Sequence, residues 1–184
     1  MNNYDSIFEV RKAWLETLGG DPSPADNTYE VSLLLLDWYL NQPVPPVPPV
    51  PPIIDYDGLI FTALENGSSI AMTNHGENTP NLQYSFDCEN WETWDYSEIN
   101  LTDGQEVAFK GTNTGISSSN INYSSFVITG DVEAKGDIMS LLDDGACTAR
   151  TISGGYSFYA LFSGCTSLTT APELPATTLG DRCY

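Results

Sequence analysis

The sequence predicts a mixed, mainly β fold in four parts. These are an N-terminal helical hairpin (residues 1–42), a polyproline II linker (43–52), an antiparallel β-sandwich (53–135), and a junction leading into the start of a repeat solenoid (136–184). Three observations predict it. Apolar residues recur at three- and four-residue steps near the N-terminus but alternate in short segments after residue 53. The stretch between them, PVPPVPPVPP, contains only proline and valine. Near the C-terminus a short pattern returns after 25 residues, when SFY ending at Tyr159 is laid over RCY ending at Tyr184.

The first helix is expected over residues 4–18. Tyr4, Ile7, Phe8, Trp14, Leu15 and Leu18 fall on one stripe, Ser6 and Glu9 have capping-box spacing with Asn3 as an alternative cap, and Gly19 and Gly20 close the helix. A second helix follows from about Thr28 to Leu40, opened by Asn27 and Glu30. Its apolar residues, among them Leu33, Leu34, Leu35, Leu36, Trp38, Tyr39 and Leu40, surround it almost completely, so it must be buried on most sides. A two-helix unit of this size offers only one partner helix, and units so short rarely stand alone. Residues 1–42 therefore read as a docking or oligomerising element. Ile7, Phe8, Trp14, Leu15, Leu18, Leu33, Leu36, Trp38 and Leu40 are its candidate partner-facing side chains. The alternative, a hairpin packed on its own β domain, is disfavoured by the stiff segment that follows.

Proline fixes its own torsion and disfavours helix in the residue before it, so residues 43–52 should adopt polyproline II and span roughly 30 Å. Val44, Val47 and Val50 share one face of that rod, where neighbouring rods could pack in a trimer; a solvated spacer is the simpler reading. No basic residue lies between Lys12 and Lys110 to orient an SH3-type ligand, and the absence of glycine excludes collagen.

From Ile53 the segments GLIFTAL, SSIAMT, LQYSF, WETWDY, EVAFKG and SSFVITGDVEA read as six or seven strands, separated by turns rich in Gly, Asn, Asp and Ser. Such density without helices indicates a sandwich. GDIMSLLDDG reads as a short helical or turn segment. In the last segment, Leu161, Phe162, Leu168, Leu174 and Leu179 would be the inward positions of a leucine-rich repeat that continues past Tyr184.

Composition narrows the function. Six Lys and Arg against 25 Asp and Glu leave a net charge of -19, which repels a phosphate backbone and excludes nucleic acid as an expected partner. The first twenty residues lack a signal-peptide pattern, and the longest apolar run, Leu33 to Leu36, is too short for membrane insertion. Cys88, Cys147, Cys165 and Cys183 show no C-x-x-C spacing and share the chain with one histidine, His75, so small free thiols are a better reading than zinc ligands and no cofactor is expected. Catalysis has little support: His75 sits in a turn, G-x-S-x-G is absent, and Ser117 to Ser119 have no identifiable base. Asp55, Asp57, Asp143 and Asp144 offer oxygen ligands for calcium, but DYDG lacks the remainder of an EF-hand loop.

FSGCTSLTTAPELPATTL, residues 162–179, resembles the BspA-like leucine-rich repeats of gut-bacterial surface proteins and of phages that infect those bacteria. LQYSFDCENWETW and EVAFKGTN are similar to the β domain that often precedes such repeats, whose hairpin carries YSxDGxxW, with Cys88 here in place of the glycine. DIMSLLD, residues 137–143, is similar to the junction in that family. The resemblance, over about residues 58–184, implies a display or adhesion protein and not an enzyme. With a helical element at the start and no signal peptide, the arrangement resembles crAss-like phage head fibres. It implies a structural virion protein, assembled in the host cytoplasm, fastened to capsid or tail through residues 1–42 as a homotrimer and facing host glycans. The alternative is a bacterial cell-surface glycan-binding module. Within the aromatic cluster Tyr84, Phe86, Trp91, Trp94 and Tyr96, the candidate glycan contacts are Trp94 and Tyr96. Because residues three apart in a strand face opposite ways, one of Trp91 and Trp94 is expected in the core and the other exposed.

Overall fold

Alternating side chains give each strand after residue 55 two faces, and the fold follows from which faces are apolar. The computed structural model describes residues 55–184. The predicted hairpin with its partner-facing side chains, and the polyproline rod with Val44, Val47 and Val50, lie outside the described residues.

The described chain is mainly β: β1 (Ile60–Ala63), β2 (Ser68–Asn74), β3 (Leu82–Ser85), β4 (Glu92–Thr93), β5 (Ile99–Leu101), β6 (Glu106–Gly111), β7 (Ser124–Thr129), β8 (Val132–Lys135), a 3-10 turn (Ile138–Leu141) and β9 (Leu168–Thr170). They form two sheets, ordered β4-β3-β6-β1-β8-β9 and β5-β2-β7. The predicted segment SSFVITGDVEA holds two strands that belong to opposite sheets. Gly130, at φ 71 and with Ser68 Cα 2.9 Å from where a Cβ would stand, makes the corner between them. WETWDY contributes only the two residues of β4, and β5 and β9 were not foreseen as strands.

One core lies between the sheets. Phe61, Val107, Phe109, Val132 and Ala134 point inward from the large sheet, and Ile70, Met72, Ile99, Leu101 and Phe126 from the small one. Phe61 and Phe126 meet edge-on with centroids 5.0 Å apart. The antiparallel expectation needs one correction, because β9 joins β8 in parallel. The local reason is that residues 136–184 do not stand apart from the sandwich. Their residues Ile152, Phe158, Leu161 and Cys183 enter the same core. Backbone bonds from Val132 to Ser167 and from Phe126 to Leu161 attach the segment to both β8 and β7, which without it would each lie at an edge of its sheet. Edge groups that would otherwise face water are thereby paired.

The 25-residue spacing seen in the sequence has a structural counterpart. Tyr156 N–H donates to Asp181 C=O and Phe158 N–H to Cys183 C=O, pairs that are 25 positions apart (181 − 156 and 183 − 158). A repeat solenoid is not established by these two layers. Of the five expected inward positions, Leu161 is buried and Phe162 and Leu168 pack on the core, whereas Leu174 and Leu179 are 52% and 56% exposed. They belong to the outer layer of the ladder, over which no further described residues lie.

GDIMSLLDDG forms the predicted turn. Asp137 caps it by accepting from Met139 N–H at 2.7 Å, and all four of its residues are buried. The Asp137 carboxylate also receives Arg150 at 3.1 Å. Burial of this carboxyl group pushes its pKa up despite those two bonds.

Candidate functional site

Three places on the described chain gather side chains with recognition chemistry, and the first is the hairpin Ser85–Trp91. Asp87 Oδ1 accepts from the Ser85 hydroxyl at 2.9 Å and from the backbone of Glu89 and Asn90 at 2.9 and 2.8 Å, while Oδ2 accepts from the Asn90 amide at 2.8 Å. These bonds, with the Asn90 ones foremost, hold the Asp87 carboxyl well below the usual carboxylate range. Cys88 follows at φ 58, the left-handed conformation that glycine would take without strain, so the turn expected from YSxDGxxW is made with a cysteine in it. Burial pushes the Cys88 thiol up to about 11.

That turn places Trp91 on the outer face of the large sheet, against Ile60 and Ala108. The Tyr56 ring stands edge-on to it at 5.4 Å, and Lys110 Nζ lies 4.8 Å from the indole centroid while pairing with Asp144 at 3.1 Å. Beside Tyr56 is a cavity of about 340 Å³, lined by Asp55, Tyr56, Asp57, Gly145, Ala146 and Cys147. Desolvation raises the Tyr56 hydroxyl above its ordinary value and pushes the Cys147 thiol up to about 11, which disfavours the charged form of each. The calcium reading of the four aspartates does not hold here. Asp144 faces Lys110, and Asp143 accepts from the backbone of Cys147, Thr148 and Ala149. Among the described residues no three His, Cys, Asp or Glu side chains converge to hold a metal ion.

The second place is the predicted glycan contact, Trp94 with Tyr96, and it needs correction. Trp94 is 3% exposed, its ring lies 4.9 Å from Phe109 and 6.0 Å from Phe126, and its Nε1 donates to Ser97 C=O at 2.9 Å. A side chain filling the core has no face to offer a sugar. Tyr96 is half-buried, packs edge-on to Trp94, and its hydroxyl donates to Pro80 C=O at 2.7 Å. The expected division between the two tryptophans is nevertheless found, with Trp94 inside and Trp91 half-exposed outside.

The third place went unnoticed in the sequence because its members come from four separate stretches. His75 stacks on Tyr123 at 4.2 Å and 16°, Tyr123 meets Tyr159 at 5.7 Å and 89°, and Tyr159 meets Tyr156 at 5.4 Å and 75°. Arg182 lies 5.7 Å from the centre of the Tyr156 ring and donates to its hydroxyl at 2.8 Å. All four rings are partly buried. Backbone bonds assemble the strip: His75 N–H donates to Tyr123 C=O at 2.8 Å, and Ile116 N–H to Ser157 C=O at 2.6 Å. Ser117, weighed as a nucleophile, is buried, donating to Tyr159 C=O at 3.0 Å and accepting from Ser124 N–H at 3.2 Å, so it helps to position the strip.

Among the described residues no helix is long and apolar enough to cross a membrane. No family model, curated protein or solved structure matches this chain.

Proposed function

We propose that this chain is a structural bacteriophage virion protein, a capsid- or tail-attached fibre that displays an adhesive region toward the host. Residues 1–42 fasten it to other virion proteins and to two copies of itself, residues 43–52 hold the remainder off the particle, and the β region faces outward at the virion surface. The observation that carries the reading is the backbone ladder between residues 25 apart, Tyr156 with Asp181 and Phe158 with Cys183. That spacing lies within the usual range of leucine-rich repeats, the class that residues 162–179 resemble. The net charge of -19 suits a protein packed at high copy number, since like-charged heads repel rather than aggregate.

Light scattering on the full chain tests it. The expected mass is three times the 20.1 kDa of the single chain, and L33D combined with L36D should leave a folded monomer. A full chain that stays monomeric at micromolar concentration refutes the anchor.

A further inference from the structure

We propose that the strip His75–Tyr123–Tyr159–Tyr156, together with Arg182 and Asp181, is a carbohydrate-binding face that takes a neutral polysaccharide. The inference deepens the adhesive reading above and rests on the outward display of the β region.

Three observations carry it. The rings run in an unbroken chain, with centroid steps of 4.2, 5.7 and 5.4 Å, and each is partly buried, keeping some surface in contact with solvent. Tyrosine supplies a rigid, amphipathic contact at low entropic cost, and its electron-rich ring face attracts the C–H groups clustered on one side of a pyranose. Tyr159 stands steeply to both tyrosine neighbours, so the strip is corrugated.

The second observation is a polar end beside the rings. Lys110, Lys135 and Arg150 each pair with a carboxylate from a distant part of the chain, namely Asp144, Glu106 and Asp137. Among the described residues Arg182 forms its ion pair with its sequence neighbour Asp181, at 3.8 Å, and the two side chains are 63% and 84% exposed. A guanidinium next to a carboxylate presents donors and acceptors together, which matches adjacent sugar hydroxyls. A few such groups set orientation while the rings supply contact area.

The third observation is charge. Asp181 offsets Arg182 locally, and the chain as a whole carries -19, so an acidic polysaccharide is repelled where a neutral one is not.

Affinity electrophoresis of the full chain through gels containing mannan, laminarin or galactan, with polygalacturonate and hyaluronan as acidic comparisons, tests the assignment. Retardation by at least one neutral polymer is expected. Y159A and Y156A should weaken it at least tenfold and R182A severalfold, while Y159F keeps most of it and W91A all of it. Circular dichroism monitors folding, and R182A, whose side chain is 63% exposed, keeps the test valid if a tyrosine variant fails to fold. The site is overturned if only acidic polymers retard the chain, if none does, or if W91A abolishes retardation while Y159A and R182A do not. Light scattering on the same samples reads the trimer separately, so loss of the site and loss of the fibre reading are distinguishable.

Discussion

Asp87 and Cys88 show how much a single residue decides in this fold. The carboxylate of Asp87 gathers four hydrogen bonds within its own turn, and its pKa is held below the ordinary 3.8. A carboxyl depressed in the folded state adds stability at pH above its unfolded value, and that stability is lost as pH falls toward the folded value. Urea denaturation should therefore show the protein weakening as pH is lowered below about 4, and D87N weakening less over the same interval. Cys88, at φ 58, occupies a conformation that costs a non-glycine residue about 1–2 kcal/mol. C88G relieves that strain but loses thiol packing against the Ile60–Ala108 patch, so its stability should stay within about 1 kcal/mol of the parent. C88V, branched at Cβ, should lose about 2 kcal/mol or more in the same measurement. The turn was legible from DCEN, whereas the use of cysteine in a left-handed position was not, because its cost is offset by contacts distant in the chain.

At the level of elements, alternation exposed β1, β2, β3 and β6 plainly, since their neighbours on one face are consistently apolar. It missed β5, whose three residues are too few to show a period, and β9, whose Thr169 and Thr170 face solvent and whose existence depends on β8 beside it. The 3-10 turn was foreseen as an element, but its role as a rivet was not. Ser140, fully buried, accepts from Leu59 N–H at 3.0 Å and donates to Phe109 C=O at 3.1 Å, tying the turn to β6 and to the residue that leads into β1. S140A should destabilise by roughly 1–3 kcal/mol, because Leu59 N–H is then buried without its acceptor. Chemical denaturation of the two proteins in parallel measures the difference.

Over the whole described chain, the sandwich and the C-terminal segment share one core, so they should unfold together. Leu161, 2% exposed, stands in that core while its carbonyl pairs with Phe126 N–H of β7 at 2.8 Å. L161A should cost about 2–5 kcal/mol and speed amide exchange in β7 and β8 as well as in its own segment. Exchange confined to residues 150–184 would show that the two parts open independently. The site was less legible than the fold. Trp94 and Tyr96 are prominent in the sequence because they are large and adjacent, yet packing against Phe109 and Phe126 takes Trp94 out of reach of any ligand. His75, Tyr123, Tyr156, Tyr159 and Arg182 carry no local signal that links them. Only the loops that cross between the sheets, and the ladder that sets Arg182 beside Tyr156, bring them together.

By itself the sequence determined what depends on near neighbours: strand segments from alternation, turns from Gly, Asn and Asp, a strongly acidic surface, and a 25-residue period. The tertiary structure alone decided which sheet each strand joined, which tryptophan was buried, and which aromatic rings met at the surface. The reason is physical. Local torsions and side-chain period act over a few residues, whereas burial and most ring contacts depend on partners far away in the chain, chosen by how the two sheets close over one core.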